Sequence, residues 1–295
     1  MRTLRTLFIL TFVAAAFAVR AQTPRDSLLV SREWLSAHLR DPNLVLLHIG
    51  PRPAYDSAHV AGSQFVEPNM LDAHTDLALE LPGADSLKKF LEQHGISDNS
   101  RIVVIPGSGW FSPATRLILT LDHAGFGSRT SMLDGGLTYW RKGGLPVTAD
   151  LPTVTPGRIS ALRLKTVTVS AEAVRDRKPE TALIDARAVA FYDGASAGGN
   201  EKVQVKGHIP GAKSLFYLSV LDSTATLLPP QALKDKFIAA GWQPGKNVIA
   251  YCHVGQQATL VVFAARTLGI DVKLFDGSFE DWAVRGWPTE LPPGK

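Results

Sequence analysis

The residue best suited to chemistry in this sequence is its single cysteine, Cys252. It follows the apolar run Val248–Tyr251, which predicts a buried parallel strand, and it precedes a helix predicted to begin near Gln256 and to stop at Gly269. A thiol in such a turn lies at the positive end of a helix, among backbone N–H groups that have no partner within the helix. These groups favour an anion, so we expect the turn to stabilise the thiolate, the form of cysteine that attacks.

A buried structural residue, a phosphatase nucleophile and a metal ligand are the competing roles for Cys252. Most free cysteines are small buried apolar residues, but open α/β sheets bind their ligands at the carboxyl ends of parallel strands, where this thiol is predicted. A cysteine phosphatase needs an arginine six positions after its nucleophile, and Ala258 stands there. One cysteine and eight scattered histidines show no spacing of metal ligands, and the sequence contains no phosphate-binding or dinucleotide fingerprint. We therefore expect neither a metal nor a cofactor.

The first 21 residues have the three parts of a secretory signal peptide. Arg2 and Arg5 precede an apolar run over residues 7–18, and Val19-Arg20-Ala21 places small residues at the −3 and −1 positions of a cleavage site. The apolar run is too short to span a bilayer comfortably. We therefore expect the mature chain to begin at Gln22 and to be exported, into a periplasm.

The charge of the mature chain excludes some partners. Removal of the expected signal peptide takes away three arginines and lowers the formal net charge from +4 to +1 (4 − 3). A nearly neutral chain gives no electrostatic reason to bind nucleic acid or an anionic membrane, and no later segment is apolar for long enough to cross a bilayer. A lone cysteine in an exported protein excludes an internal disulfide, and its retention suggests that its reactivity is useful.

The remainder of the chain is an internal duplication, whose two halves match motif by motif. The matched segments are 31–35 with 170–174, 44–49 with 181–186, 59–62 with 208–211, 86–96 with 232–242, 101–105 with 247–251, and the Asp-Gly turn and tryptophan of 134–140 with 276–282. Each half alternates short apolar strands with helices, which predicts a parallel sheet flanked by helices. The predicted fold class is therefore α/β, with tandem domains at residues 24–147 and 166–292 and a linker at residues 148–165.

The duplication provides an internal control for the cysteine. Pro106 stands in the first half where Cys252 stands in the second (252 − 106 = 146), and proline is neither a thiol nor a backbone N–H donor. Ser108 and Ser112 lie nearby, but no activating base is evident beside them, so we interpret them as turn and N-cap residues. We expect the first domain to be inactive and to form one side of the cleft that the thiol faces. The chemistry would fail with a thiol that is enclosed in the interior or that faces away from the cleft between the domains.

Four motifs of the second half occur together in this order: Asp185-Ala186-Arg187, residues 207–212, the loop 252–258, and Asp276-Gly277-Ser278 with Trp282. In these motifs the chain resembles the tandem-domain rhodanese family, the thiosulfate and 3-mercaptopyruvate sulfurtransferases, over essentially its whole mature length. The resemblance implies two rhodanese-like domains, of which only the second forms a persulfide. Its cysteine thiolate would attack the outer sulfur of a small anionic donor and pass that sulfur to a thiophilic acceptor such as cyanide or a thiol.

The resemblance also implies which residues bind the donor. Arg187 would hold the anion through its planar guanidinium, with a surface ion pair of no function as the alternative. The backbone N–H groups that follow the cysteine would surround the negative sulfur. The loop residues assigned to donor binding are His253, Val254, Gly255, Gln256 and Gln257. The residues interpreted as structural or merely solvated are Asp185, His208, Trp282 and Lys206.

The residues after the cysteine bear on the identity of the donor. Family members that use thiosulfate usually carry basic residues after the cysteine, and those that use mercaptopyruvate carry small ones; His253-Val254 matches neither. Imidazole titrates at about 6.5, so we expect His253 to supply part of the missing positive charge. An exported enzyme also meets a stable inorganic anion more readily than a labile keto acid. We therefore predict a monomeric thiosulfate sulfurtransferase, with a 3-mercaptopyruvate sulfurtransferase or a non-enzymatic persulfide carrier or docking module as alternatives.

Overall fold

The computed structural model describes residues 23–68, 73, 76–200 and 203–293, and the expected signal peptide lies outside them. Among these residues no helix has both the length and the apolar character needed to cross a bilayer. The described chain contains two five-stranded sheets, one in each half of the duplication, and every neighbouring pair of strands in them is parallel. The predicted α/β fold with two parallel sheets is confirmed.

The first sheet has the strand order β1-β5-β4-β2-β3. Its strands are β1 (Leu29–Val30), β2 (Leu44–Ile49), β3 (Ser63–Phe65), β4 (Arg101–Pro106) and β5 (Thr130–Leu133). The helices of this half are α1 (Pro24–Leu28), α2 (Arg32–His38), α3 (Arg52–Ser57), α4 (Ala84–Gln93), α5 (Phe111–His123) and α6 (Gly136–Lys142), with a 3₁₀ turn at Gly127–Arg129.

The second sheet has the strand order β10-β7-β11-β12-β6, which is the same arrangement. Its strands are β6 (Thr168–Val169), β7 (Ala182–Asp185), β10 (Lys213–Ser214), β11 (Val248–Tyr251) and β12 (Val272–Phe275). The helices are α7 (Ala171–Arg175), α8 (Val189–Tyr192), α9 (Pro230–Ala239), α10 (Ala258–Thr267) and α11 (Ser278–Val284), with a 3₁₀ turn at Tyr217–Val220. A separate antiparallel hairpin pairs β8 (Ala197–Gly199) with β9 (Gln204–Lys206).

Local sequence explains several of these boundaries. The strand predicted before the cysteine is confirmed as β11, and all four of its residues are buried, as expected for a central strand covered on both faces. Ser31 and Ser170 are N-caps, because each hydroxyl accepts the backbone N–H three residues later. The N-cap prediction for Ser112 is wrong, since α5 already begins at Phe111. Helix α10 begins at Ala258, two residues after the predicted start.

The second domain contains an insertion that the first lacks. Equivalent strands are 137 residues apart (181 − 44), whereas the histidines that follow them are 149 apart (208 − 59), so 12 residues have been added. This insertion forms the β8–β9 hairpin, which packs against α11. Gly198 of the hairpin lies against Arg187 and the Phe279 ring, since a Cβ there would be 2.7 Å from Nη1 of Arg187.

The two domains pack together through equivalent surfaces. Helices α5 and α10 lie against each other across the interface, and one hydrophobic core continues through both domains. Asp276 accepts the backbone N–H of Leu81 at 3.0 Å, and Asp134 accepts that of Leu227 at 3.0 Å. These two contacts are equivalent positions of the duplication, so the domains are related by an approximate twofold axis.

Candidate active site

Cys252 lies directly after β11, at the carboxyl edge of the second sheet. Its N–H donates to the Ser278 hydroxyl at 3.2 Å, and its carbonyl accepts the N–H of Phe279 at 3.1 Å. The carbonyl of His253 accepts the N–H of Glu280 at 3.0 Å. The cysteine and the residue after it are therefore fixed to the first turn of α11, whose N–H groups have no partner within that helix.

The loop after the cysteine presents a run of unpaired amides, which we call the amide cradle (the backbone N–H groups of residues 253–258). None of these six groups has a hydrogen-bond partner in the described part of the chain. The first N–H groups beyond them are paired, since Thr259 donates to the Gln256 carbonyl and Leu260 to that of Gln257. Consecutive unpaired amides at a helix N-terminus form a binding surface for an anion.

The thiol is enclosed, which differs from the cleft expected from the sequence. Cys252 has 0% of its surface exposed. Helix α10, which follows the cysteine loop, contacts the first domain, because the Thr259 hydroxyl lies 2.8 Å from that of Thr115 in α5. A donor can reach the sulfur only when the atoms that cover it move.

Arg187 is a buried ion pair rather than a surface one, so the surface alternative is wrong. The side chain is 0% exposed, and its Nε and Nη2 donate to the Asp185 carboxylate, Nη2 at 2.7 Å. Nη2 also donates to the Gly207 carbonyl, whereas Nη1 is buried with no partner among the described residues. Burial opposes the charge, but the pairing with Asp185 outweighs it and raises the pKa of Arg187. One donor is thus left for a ligand.

Asp185 is held by several donors, in agreement with its structural interpretation. Its carboxylate accepts the Tyr251 hydroxyl at 2.8 Å and the backbone N–H of Arg187 at 2.9 Å. Complete burial raises the pKa of Tyr251 well above its ordinary value, so this hydroxyl keeps its proton and donates it. Asp185 therefore orients Arg187, and its carboxylate oxygens are already occupied by these donors.

The other residues interpreted as structural also have structural contacts. His208 stacks on Tyr192 with 3.8 Å between the ring centres, and its Nδ1 lies 2.9 Å from the Tyr192 carbonyl. The indole N–H of Trp282 donates to the Pro288 carbonyl at 2.9 Å inside the domain. Lys206 is exposed at the end of β9.

His253 does not supply the positive charge that the sequence suggested. Burial, and secondly the charge of Arg187, lower the pKa of His253 to about 4, so the imidazole is neutral at pH 6 and above. Its ring packs edge-on against Phe191, with 4.3 Å between centres. The expectation of a cationic histidine is therefore wrong, because it ignored the cost of charging a largely buried ring. Val254, Gly255, Gln256 and Gln257 contribute backbone N–H groups and no charge.

The equivalent place in the first domain contains neither a nucleophile nor a guanidinium. Pro106 ends β4 where Cys252 follows β11, and Gly50 stands in the position of Arg187 (50 + 137). Gly50 and Gly107 lie against each other there, since a Cβ on Gly50 would be 3.2 Å from the Cα of Gly107. The neighbours of Gly50 are the His48 ring and the backbone of Gly107, so the first domain has no room for a guanidinium at this position.

Two residues of this site were not assigned a role from the sequence. Ser278 has a φ of 54°, a left-handed conformation that among described non-glycine residues only Ala225 shares. Its hydroxyl donates to the Phe275 carbonyl and accepts the backbone N–H of Cys252. Its equivalent in the first domain, Gly136, has a φ of 56°. The sequence signal for Ser278 was therefore the replacement of a glycine of the first half by a serine in the second. Arg116 comes from the other domain, and no sequence signal marked it. The described residues contain no cluster of metal-binding side chains.

Fold and site together define a duplicated parallel α/β protein with one cysteine at the carboxyl end of a central strand. The sequence profile of the rhodanese-like domain matches residues 31–143 and 170–285, so the chain belongs to the rhodanese-like domain family as a tandem of two copies. Among its relatives are sulfurtransferases, and sulfur transfer is the activity that family and site support in common.

Individual relatives agree with this assignment. Thiosulfate/3-mercaptopyruvate sulfurtransferase 1, mitochondrial, of Arabidopsis thaliana is 27% identical over 87% of this chain and 76% of its own length. Sulfur carrier protein TtuD of Thermus thermophilus is 24% identical over 86% of this chain and 93% of its own. The solved wild-type structure of EanB aligns with 91% of this chain and 70% of its own, with a TM-score of 0.80 and 21% sequence identity. This likeness shows that the fold is shared.

Proposed function

We propose that this sulfurtransferase takes the outer sulfur of thiosulfate onto Cys252 as a persulfide and passes it to a thiophilic acceptor such as cyanide or a thiol. The observation that carries the proposal is the amide cradle beside the single cysteine of the chain. Unpaired amides of this kind stabilise a negative sulfur without a formal charge.

The reaction balances within the enzyme and its substrates. The Cys252 thiolate forms a bond to the outer sulfur of thiosulfate, and the sulfur–sulfur bond of the donor breaks, so sulfite leaves with the electron pair. An acceptor then attacks the outer persulfide sulfur, and the Cys252 thiolate leaves with the electron pair. The two displacements regenerate the enzyme without an external oxidant or reductant, and they predict ping-pong kinetics.

One observation supports thiosulfate as the donor. The unpaired Nη1 of Arg187, which carries two N–H bonds, and the amide cradle can donate to the oxygens of a sulfonate. Here Arg187 binds the donor, while Asp185 fixes the orientation of its guanidinium.

One observation favours 3-mercaptopyruvate as a second candidate. Because His253 is neutral and Val254 is apolar, the loop has no formal positive charge to attract a dianion such as thiosulfate. The Arabidopsis relative carries both donors in its name. A singly charged keto acid therefore remains the alternative donor.

A paired assay separates the candidates. The residue 22–295 protein is given thiosulfate or 3-mercaptopyruvate with cyanide as acceptor, and thiocyanate is measured beside a Cys252→Ser variant. The proposal expects turnover with thiosulfate to exceed that with mercaptopyruvate, and the reverse order would assign the second donor. Persulfide formation on Cys252 with no thiocyanate from either donor would instead indicate a sulfur carrier. No persulfide from either donor would refute sulfur transfer through this residue.

The enclosure of Cys252 counts against the proposal unless the cover opens during turnover, and this can be measured. Iodoacetamide should modify Cys252 in the folded protein at a measurable rate, through a thioether that a reductant does not cleave. After treatment with thiosulfate the reagent should instead alkylate the outer sulfur of the persulfide, so that dithiothreitol removes the label by reducing the disulfide bond. Modification that occurs only after unfolding would show that the thiol is closed to solutes, and the proposed reaction could not take place.

We also propose that the mature enzyme is exported and acts as a monomer. The proposal of export rests on the charged, apolar and small-residue segments within residues 1–21. Expression of the full chain in a bacterium with secretion machinery should give a periplasmic protein whose N-terminal residue is Gln22. Light scattering of that protein should give a mass of one chain, and a doubled mass would refute the monomer.

A further inference from the structure

Arg116 links the inactive first domain to the loop that carries the amide cradle. It lies in the middle of α5, is 3% exposed, and points into the domain interface. Its Nη1 donates to the carboxylate of Asp276 and approaches the carbonyl of Gly255 at 3.4 Å. Both acceptors belong to the second domain, and Gly255 is only three residues from Cys252.

The contacts of Arg116 do not satisfy its own side chain. Nε and Nη2 are buried without a partner among the described residues. Burying a guanidinium with two unpaired donors is unfavourable, and apolar residues of similar size commonly serve an interface at least as well. The stability of the interface therefore does not explain why an arginine stands at this position.

The position of the guanidinium has a direct effect on the cradle. The carbonyl of Gly255 and the N–H of Gln256 belong to one peptide group, and that N–H is one of the six unpaired amides. A positive charge beside the carbonyl oxygen polarises the peptide and makes its N–H a stronger donor. Arg116 can therefore act on the cradle through a peptide bond, although it does not contact the sulfur.

Arg116 also fixes the position of this peptide through Asp276. Gly255 packs directly on Asp276, since a Cβ on Gly255 would lie 3.0 Å from Oδ1 of that carboxylate. The other oxygen of Asp276 accepts the N–H of Leu81 from the first domain. The carboxylate is thus held by two groups of the first domain, and it supports the loop from behind.

We propose that Arg116 is a positioning residue for sulfur transfer, so that the domain without a nucleophile completes the active site of the other. This inference rests on the function proposed above. Arg116 aligns and polarises the peptide between Gly255 and Gln256, and its loss leaves Cys252 in a weaker and less well-positioned cradle.

The duplication offers a matched control for this proposal. Arg25 of the first domain donates to the carbonyls of Leu227 and Leu228 in the second, both at 2.8 Å, and lies 3.8 Å from Asp134. Asp134 is the equivalent of Asp276 (134 + 142). Arg25 therefore makes the same kind of contact between domains at the end of β5, on the side of the interface that has no cysteine.

The test compares Arg116→Gln, Arg116→Lys and Arg25→Gln in the two-domain protein. Persulfide formation on Cys252 is followed by mass spectrometry in a single turnover over a range of donor concentrations. We expect Arg116→Gln to lower the loading rate at saturating donor by about tenfold to a hundredfold, with a smaller change in the half-saturating concentration. Arg116→Lys, which keeps the charge, should recover part of the rate, and Arg25→Gln should load as the wild type does.

Two results would overturn the proposal. One is an Arg116→Gln protein that loads at the wild-type rate, and the other is an Arg25→Gln protein that loses as much activity as Arg116→Gln. Arg116→Gln can be replaced in this test if it does not fold. Arg116→Lys keeps the positive charge, whereas Asp276→Asn removes the carboxylate that holds it. A folded Arg116→Lys protein that loads no faster than Asp276→Asn would also overturn the proposal. Failure of the wild type to form a persulfide with any donor would instead refute the proposed function, so the two failures are distinguishable.

Discussion

Replacing Gly255 with alanine tests whether the geometry of the amide cradle matters apart from the thiol. Gly255 has a φ of 81°, and its equivalent in the first domain, Gly109, has a φ of 75° (255 − 146 = 109). A side chain in this left-handed conformation costs about 1–2 kcal/mol at either position. The two positions differ in their surroundings: a Cβ on Gly109 would have no neighbour within 4 Å, whereas one on Gly255 would press on Asp276.

The size of the expected effect follows from that contact. The added Cβ would lie 3.0 Å from Oδ1 of Asp276 and closer still to its backbone oxygen, while ordinary contacts begin at 3.4 Å. The loop must therefore move by more than 0.4 Å (3.4 − 3.0), and a shift of about 1 Å at a reacting group can cost about a hundredfold in rate. We expect Gly255→Ala to lose about tenfold to a hundredfold in persulfide loading, and Gly109→Ala to lose none.

Two measurements on both variants decide this prediction. Denaturant unfolding should show that each alanine lowers the free energy of unfolding by about 1–2 kcal/mol, with a larger loss for Gly255→Ala. Rapid-quench mass spectrometry should show slow loading for Gly255→Ala alone. Equal loading by the two variants would refute the view that the cradle must keep its present shape.

Three further changes test the contacts around the thiol. Arg187→Lys keeps a charge but has a single nitrogen, which cannot pair with both oxygens of Asp185 in the planar arrangement of a guanidinium and also place a separate NH2 group towards the donor. The half-saturating donor concentration should therefore rise by about tenfold, and an unchanged value would contradict this role. Ser278→Ala leaves the buried N–H of Cys252 unpaired and should lower the free energy of unfolding by about 1–3 kcal/mol in urea; a smaller loss would make this hydrogen bond unimportant. Burial lowers the pKa of His48 and of His253 to about 4, whereas unfolded imidazole titrates at about 6.5. The unfolded chain therefore binds protons first, so stability should be complete above about pH 6.5 and decline towards pH 4, less steeply in His48→Gln, as denaturant titrations at several pH values would show.

Local patterns in the sequence predicted the framework of the fold. The run before Cys252 is apolar and partly β-branched, and it forms β11 with the predicted bounds. Ser31 and Ser170 begin their helices because a hydroxyl can accept an N–H three residues later. The duplication extended these local predictions to two parallel sheets, since the same order of motifs folds in the same way twice.

The features that the sequence did not predict depend on burial or on the other domain. The charge of His253 could not be foreseen, because desolvation of its ring depends on what packs around it. Arg116 is distant in sequence from Cys252 and reaches the loop only through the packing of α5 on α10. Enclosure of the thiol likewise depends on what packs around it, whereas a strand-end position indicates only which edge of the sheet it occupies.

The most direct test of the account is the mass of the protein after it meets a sulfur donor in the absence of an acceptor. The folded residue 22–295 protein should gain the mass of one sulfur atom, a peptide containing Cys252 should carry it, and cyanide should remove it. Cys252→Ser should gain nothing under the same conditions. A wild-type protein whose mass does not change, or a Cys252→Ser protein that gains sulfur, would contradict the claim that this cysteine carries the transferred atom.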